Sequence, residues 1–369
     1  MKELTFIHCG DIHLDARFTA TGLSDIKAKE RRQEIRDTFS RIIDEVIKHK
    51  VHVLFISGDL FEHEYISRNT AEFIINQFKR IPGVKIFISP GNHDPYVANS
   101  YYVTLDWPSN VHIFTNMMKS IELPEYNAAI YGVGFTGKYQ YQSMLTGLRN
   151  MDYSKINILV THGTLDNISS ECPYHPVKST DIKRWGFDYV ALGHIHKMGQ
   201  GKDYPDVKAV YCGSPEPLGF DEPGDHGIIL GRITKQGIAT QFIKMNKRQY
   251  ITKEMDISNM ATIDELESNM KEQLYSLTDD FVKIILTGRK NREMDLDIQL
   301  ITSRLVHHCF YLKIVDDTCP DYQLEELCKQ YNLKGIFTRK MLEEIDKTQD
   351  EQMKKKLYKA LYLGLDALN

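Results

Sequence analysis

Five short apolar segments of this 369-residue chain each end in a polar cluster rich in histidine and aspartate. Leu4 to His8 runs into Asp11-Ile12-His13, Val51 to Ile56 into Gly58-Asp59, and Val84 to Ile88 into Gly91-Asn92-His93-Asp94. Ile156 to Val160 leads to His162-Gly163, and Tyr189 to Leu192 to Gly193-His194-Ile195-His196. Apolar runs of this length suit buried strands. Open α/β sheets collect their ligands beyond the carboxyl ends of such strands. Two amphipathic patterns lie between the first three segments. Asp25 to His49 has Ser24 as its cap and Ile35, Phe39, Ile42, Ile43 and Val46 at spacings of three and four. Ser67 to Arg80 offers Phe73, Ile74 and Phe78. The β-α-β-α-β order predicts a layered α/β domain.

The residue types at the strand ends point to metal chemistry. Asp11 and His13 are two apart, so on extended backbone they share a side, as do His194 and His196. Gly58 allows a tight turn before Asp59. Asn92 offers a neutral oxygen, His93 is a ligand or a proton carrier, and Asp94 can fix the tautomer of that histidine. Taken singly, these patterns suit strand-to-loop turns as well as metal sites. Together Asp11, His13, Asp59, Asn92, His162, His194 and His196 supply two carboxylates, one amide and four imidazoles. Such a set can hold two divalent ions about 3.5 Å apart. Asp59 is expected to bridge them, because a carboxylate has two oxygens and this one ends a central strand. The nitrogen-rich set suits manganese, iron or zinc better than magnesium or calcium. Two such ions activate a water, bind the non-bridging oxygens of a phosphodiester and stabilise the in-line transition state. His93, with Asp94 behind it, would protonate the leaving alkoxide. Cys172 and His175 resemble half a zinc site but find no partner pair.

The balance of 46 basic and 50 acidic residues, net −4, does not advertise a nucleic-acid binder and counts only weakly against one. Six cysteines without a C-x-x-C pair fit a reducing compartment. No signal-peptide core and no membrane-spanning run is present, so a cytoplasmic protein is expected. The charged first half of the Asp25 to His49 helix, with Lys29, Arg31, Arg32 and Arg36, reads as a solvated face, and so does Lys354-Lys355-Lys356. Tyr139, Gln140 and Tyr141 with Lys138 make a polar-aromatic patch suited to stacking bases or to an interface. Leu165 to Val177 reads as a long loop at the rim of the site. Beyond residue 245 the pattern changes. Tyr250 begins a connection, Thr262 caps a helix over Asp264 to Leu277, and strands are expected at Phe281 to Thr287, Leu296 to Ile301 and Phe310 to Val315. A helix over Tyr322 to Gln330 follows, then helical signals from Arg339 to Leu363 with a break near Thr348 to Asp350. The expected domains are 1–245, 246–335 and 336–369.

The ordered set D-x-H, G-D, G-N-H-D, H-G and G-H-x-H, over roughly residues 5 to 200, resembles the signature of the calcineurin-like metallophosphoesterase superfamily. More narrowly, the chain is similar to SbcD-type (Mre-type) DNA repair nuclease subunits. The similarity rests on Phe6 to Asp15, on Gly58 to Phe61, and on Gly193 to His196 followed by Tyr211-Cys212-Gly213-Ser214-Pro215. It implies an α/β metallophosphoesterase β-sandwich flanked by helices, with a small α/β capping domain and C-terminal helices. One metal would take Asp11, His13, Asp59 and His196, and the other Asp59, Asn92, His162 and His194, with Mn2+ as the working ion. The protein would be a homodimer that clamps DNA, a double-strand 3′ to 5′ exonuclease and single-strand endonuclease. An SbcC-like SMC/ABC ATPase would bind the C-terminal helices. Some members of that family carry a DNA-handling histidine three residues after the bridging aspartate; this chain has Glu62 there and His63 next. Two other readings stand beside this one: a phosphatase or phosphodiesterase acting on small or non-DNA phosphoesters, and a non-catalytic DNA-tethering scaffold. Against the scaffold, no ligand position is degraded.

Overall fold

The computed structural model describes residues 2–18, 22–145, 151–166, 174–200, 209–291 and 294–368. Cys172 and most of the expected rim loop lie outside them. The chain divides into two compact units, residues 1–249 and 250–369.

The first unit runs β1 (Leu4–Cys9), α1 (Asp25–His49), β2 (Val53–Ile56), α2 (Arg68–Lys79), β3 (Lys85–Ile88), α3 (Tyr101–Thr104), β4 (Val111–Ile113), β5 (Lys119–Leu123), β6 (Ala128–Val133) and β7 (Ile156–His162). It continues with β8 (Thr164–Leu165), β9 (Pro176–Val177), α4 (Ser179–Trp185), β10 (Tyr189–Gly193), β11 (Gly199–Gln200), β12 (Ala209–Tyr211), β13 (Gly227–Thr234) and β14 (Gly237–Lys244). One six-stranded sheet has the order β14-β13-β1-β2-β3-β4, the other β11-β12-β10-β7-β6-β5. Strands β1 to β4 are parallel to one another, as are β6, β7, β10 and β12.

Strand alternation sorts the apolar side chains into three layers. Phe6, Phe55 and Phe87 of the first sheet meet Ile158, Val160 and Tyr189 of the second in the centre of a sandwich. Ile7, Leu54 and Ile86 turn the other way, onto Phe39 and Ile42 of α1 and Ile74 and Phe78 of α2. On the far side Leu159 and Val190 cover Ile182 of α4. Each large side chain removed from water contributes about 1.5–3 kcal/mol, so both sheets are fixed on both faces. Their carboxyl ends gather at one edge.

Helix α1 begins where its cap predicts, with the Ser24 side chain accepting from the Lys27 amide. Its charged half is not a solvated face throughout. Arg31 is fully buried, bonded to Glu34 at 2.6 Å and to Glu216 at 3.2 Å, and Arg248 donates to Glu34 at 2.9 Å. The cluster ties α1 to the loop after β12 and to the end of the unit.

In the second unit, β15 (Tyr250–Asp256), α5 (Ile263–Leu274), β16 (Phe281–Thr287), β17 (Arg289–Lys290), α6 (Ile298–Leu305), β18 (Tyr311–Asp316) and β19 (Cys319–Pro320) are followed by α7 (Leu324–Cys328), α8 (Leu333–Lys347) and α9 (Glu351–Ala367). A parallel sheet β15-β16-β18 packs Val282, Ile284 and Leu312 onto Leu266, Met270 and Ile301 of α5 and α6. Two expectations fail here. Residues 250–256 are a sheet strand rather than a connection. Leu296 to Ile301 is not a strand: Asp297 caps α6 by accepting from the Leu300 amide at 2.9 Å, and Ile301 and Leu305 supply its buried face.

Candidate metal centre

The site is assembled by backbone that strands alone would not supply. Asp11, His13, Asp59 and His194 all adopt positive φ, at 50°, 52°, 49° and 101°. Non-glycine residues pay for that conformation, and such strain concentrates at functional positions. The turns brace each other: the amides of Ile12 and His13 both donate to the Asp59 carbonyl at 2.9 Å. Two glycines make room. A Cβ on Gly58, at φ 93°, would lie 2.4 Å from the His162 ring, and one on Gly91 would lie 2.3 Å from Asp59 Oδ1.

Around these turns the side chains converge. Asp59 Oδ1 accepts the His93 amide at 2.8 Å, while Oδ2 lies 3.3 Å from His162 Nε2 and 3.8 Å from His13 Nε2. His13 Nε2 is 3.2 Å from His196 Nε2, which is 4.0 Å from Asp11 Oδ1. His162 Nε2 is 3.1 Å from Asn92 Oδ1. His194 packs its ring edge-on to His162, centroids 5.1 Å apart, and its amide donates to Asp11 at 3.0 Å. Among the described residues, Asp11–His13–His196, Asp11–Asp59–His162 and His13–Glu62–His93 each bring possible ligand atoms within 4.8 Å of one another.

The hydrogen bonds on the far side of each ring decide what faces inward. His13 Nδ1 donates to Glu62 at 2.7 Å, His196 Nδ1 to Glu222 at 2.8 Å, and His162 Nδ1 to the Ser57 carbonyl at 2.9 Å. A ring whose Nδ1 carries the proton presents an Nε2 lone pair. Three rings, those of His13, His162 and His196, thus turn Nε2 inward, beside the carboxylate oxygens of Asp11 and Asp59. Such an arrangement is held together by positive charge, supplied by shared protons or by a bound metal ion. For metal–ligand bonds of about 2.1 Å, adjacent ligands lie about 3.0–3.4 Å apart, which the shorter separations here match. The donor set fits divalent metal.

The electrostatics show how strongly the site favours positive charge: burial opposes the His196 imidazolium, but the Glu222 bond and the Asp11 charge raise it to about 9. Burial pushes the Asp11 carboxyl up, against the pull of His162 and His196. Burial also works against the Asp59 carboxylate, but the imidazoles of His162 and His13 outweigh it and hold the group below its ordinary range. Burial, with His162 nearby, lowers His194 to about 3, so its ring is neutral and able to ligate.

His93 stands at the open rim, its side chain 43 % exposed. The orienter expected for it was Asp94, and the structure corrects this. The Asp94 oxygens are engaged by the amides of Asp59, Leu60 and Gly91 at 2.6–3.0 Å and by the Tyr102 hydroxyl at 2.6 Å. Asp94 thus shapes the turn, and burial beside Asp59 pushes its carboxyl up to about 8. Glu62 takes the expected role instead, accepting from His93 Nδ1 at 2.9 Å through one oxygen while the other holds His13. Burial opposes the Glu62 charge, but the bonds to His13 and His93 lower it to about 2. Burial likewise opposes the His93 imidazolium, and the Glu62 bond with the charges of Asp59 and Glu62 raises it to about 9.

The sequence reading placed Glu62 beside the site without a role and missed Glu222. Glu222 lies in a loop 26 residues past His196, with no strand end to mark it. The described cysteines Cys9, Cys212, Cys309, Cys319 and Cys328 are free thiols. Among the described residues no helix is long and apolar enough to cross a membrane.

Three relatives are similar to this chain in sequence. The metallophosphoesterase YhaO of Bacillus subtilis, itself uncharacterized, is 27 % identical over 290 residues, which cover 76 % of this chain and 68 % of that protein. The DNA double-strand break repair protein Mre11 of Methanopyrus kandleri is 27 % identical over 260 residues, covering 63 % of this chain and 54 % of its own length. The Mre11 of Saccharolobus solfataricus is 27 % identical over 293 residues, covering 75 % and 70 %. The profile of the calcineurin-like phosphoesterase family matches residues 4–198, more than half of the chain and the span that holds every candidate ligand. The chain belongs to the calcineurin-like phosphoesterase family.

Proposed function

We propose that this protein is a two-metal phosphodiesterase that cleaves DNA, the nuclease subunit of an SbcCD-like repair complex with manganese as its working ion. The observation that carries the hydrolytic reading is Asp59 Oδ2, set between His162 Nε2 and His13 Nε2, each the centre of its own donor cluster. On this reading Asp11, His13, Asp59 and His196 hold one ion, and Asp59, Asn92, His162 and His194 the other. When bound, the ions supply an activated water and Lewis-acid stabilisation of the phosphoryl oxygens. The protein's own groups do the rest. Glu62 keeps the Nδ1 proton of His93 in place, so Nε2 gives its proton to the leaving alkoxide as the P–O bond breaks. His13 is held by the same carboxylate, which couples the placement of the acid to that of a ligand.

The DNA reading draws on the relatives named as double-strand break repair proteins and on the unit beyond the family match. We assign residues 1–245 to hydrolysis, 246–335 to a capping domain and 336–369 to a tail that docks an SMC-like ABC ATPase. Exposed Ile336, Met353 and Leu363 on α8 and α9 support an apolar docking face. A homodimer with double-strand 3′ to 5′ exonuclease and single-strand endonuclease activity in the cytoplasm completes the proposal.

The test is cleavage of linear double-stranded DNA with added manganese, beside His93→Ala, with bis-p-nitrophenyl phosphate in parallel. DNA cleavage that is lost in the variant at unchanged metal content is the expected result. Hydrolysis of the small diester without DNA cleavage, even with an ATPase partner added, would point to a smaller phosphoester. Absence of both activities in metal-loaded protein would favour a scaffold.

A further inference from the structure

A file of aromatic rings leads outward from the metal centre. The Tyr174 ring lies against His194, centroids 4.7 Å apart, Tyr139 lies 6.4 Å from Tyr174, and Tyr141 lies 6.3 Å from Tyr139. The outer two are large and exposed, Tyr139 at 53 % and Tyr141 at 57 %. Their backbone is not loose. Gln140 bridges to Tyr174, the His175 amide donates to the Gln140 carbonyl at 2.7 Å, and Thr164, just past β7, donates to the Tyr174 carbonyl at 3.1 Å. Tyr139 and Tyr141 are two apart on that extended segment, so their rings share a side.

We infer that Tyr174, Tyr139 and Tyr141 form a subsite for unpaired nucleobases of the strand being cut, one base to a ring, leading away from His194. The inference rests on the reading of the centre as a nucleic-acid phosphodiesterase and adds the state of its substrate. Three observations select this occupant. The file begins at a candidate metal ligand, so whatever lies on it is continuous with the scissile phosphate. The outer ring spacing is about twice the 3.4 Å rise of a duplex strand, which suits an extended strand and not stacked, paired bases. Aromatic faces hold bases of any sequence, as a nuclease without a recognition sequence requires. Next to the rings, Lys138 pairs with Glu64 at 3.8 Å, both 62 % exposed. So open an ion pair is weak, and a backbone phosphate can take the ammonium from it. The subsite thus asks for a frayed or single-stranded end.

Binding of a labelled single-stranded oligonucleotide, read by fluorescence anisotropy, tests this without turnover. In Tyr139→Ala/Tyr141→Ala the Kd should rise about tenfold or more, while Tyr139→Phe/Tyr141→Phe should keep the parental value. The parent should lose a similar factor on an oligonucleotide with abasic positions, and the alanine variant should not distinguish the two. Equal affinity of parent and alanine variant, or of intact and abasic strands, would overturn the subsite. Hydrolysis of bis-p-nitrophenyl phosphate by the parent is scored separately. Its absence would remove the diesterase reading, while the binding arms would still decide the ring file.

Discussion

Glu62 carries more of the site than its position suggests. One oxygen fixes His13 and the other fixes His93, so a single carboxylate sets the tautomer of a candidate ligand and the charge of a candidate acid. Replacing it with glutamine separates the two effects. The amide oxygen can still accept from His13, whereas the charge that favours the His93 imidazolium is gone. Glu62→Gln should therefore retain metal, measured by elemental analysis, and lose about 10²–10³-fold in kcat on DNA, whose alkoxide needs a proton. On bis-p-nitrophenyl phosphate, whose leaving group is stable without one, the loss should be smaller. Equal losses on both substrates would count against the acid role. At this scale the sequence marked the candidate ligands and was poor about their supports. The candidate ligands sit at strand ends, where apolar runs stop abruptly. Supports such as Glu222 in a loop, the Ser57 carbonyl just past β2 and Tyr102 in the short helix α3 lie in segments whose composition is ordinary.

At the level of elements, helix α1 is held by charge as well as by its apolar stripe. Glu34 is pressed by burial, but bonds from Arg248, Lys247 and Arg31 lower its carboxyl from the ordinary 4.5 to about 2. A carboxyl depressed in the folded state stabilises fully above its unfolded value and loses that contribution as pH falls through the folded one. Urea unfolding should therefore show the Glu34 contribution present above about pH 5 and fading from there toward pH 2. In Glu34→Gln the pH dependence in that window should flatten. At neutral pH the variant should lose about 3–5 kcal/mol, because the Arg31 and Arg248 charges remain buried without their partner. A loss below 1 kcal/mol would mean that solvent reaches the cluster. The same helix shows how far periodicity reaches. Its ends were legible from Ser24 and the three-four spacing, but a charged residue within the pattern reads as solvated unless its distant partner is known, and Glu216 lies 185 residues from Arg31. The segment Leu296 to Ile301 alternates like a strand over its few residues, and only the Asp297 cap and Leu305 disclose a helix. Strand β15 carries Thr252, Lys253 and Glu254 and buries little but Tyr250 and Met255, so it left almost no apolar signal.

Across the molecule, the two sheets bring to one edge residues spread from Asp11 to His196, and that convergence gives the chain its chemistry. The strands of the sandwich were legible in part because they are buried on both faces and read as unbroken apolar runs. The pairing of strands into two sheets was not, since register depends on contacts far apart in sequence. The centre that results brings imidazoles and carboxylates to close range, notably His13 and His196 at 3.2 Å, an arrangement suited to a bound cation. The most direct measurement is anomalous diffraction from crystals of the manganese-loaded protein. Two peaks should appear, one among Asp11, His13, Asp59 and His196 and one among Asp59, Asn92, His162 and His194, with Asp59 touching both. A single peak, or two that do not share Asp59, would contradict the account.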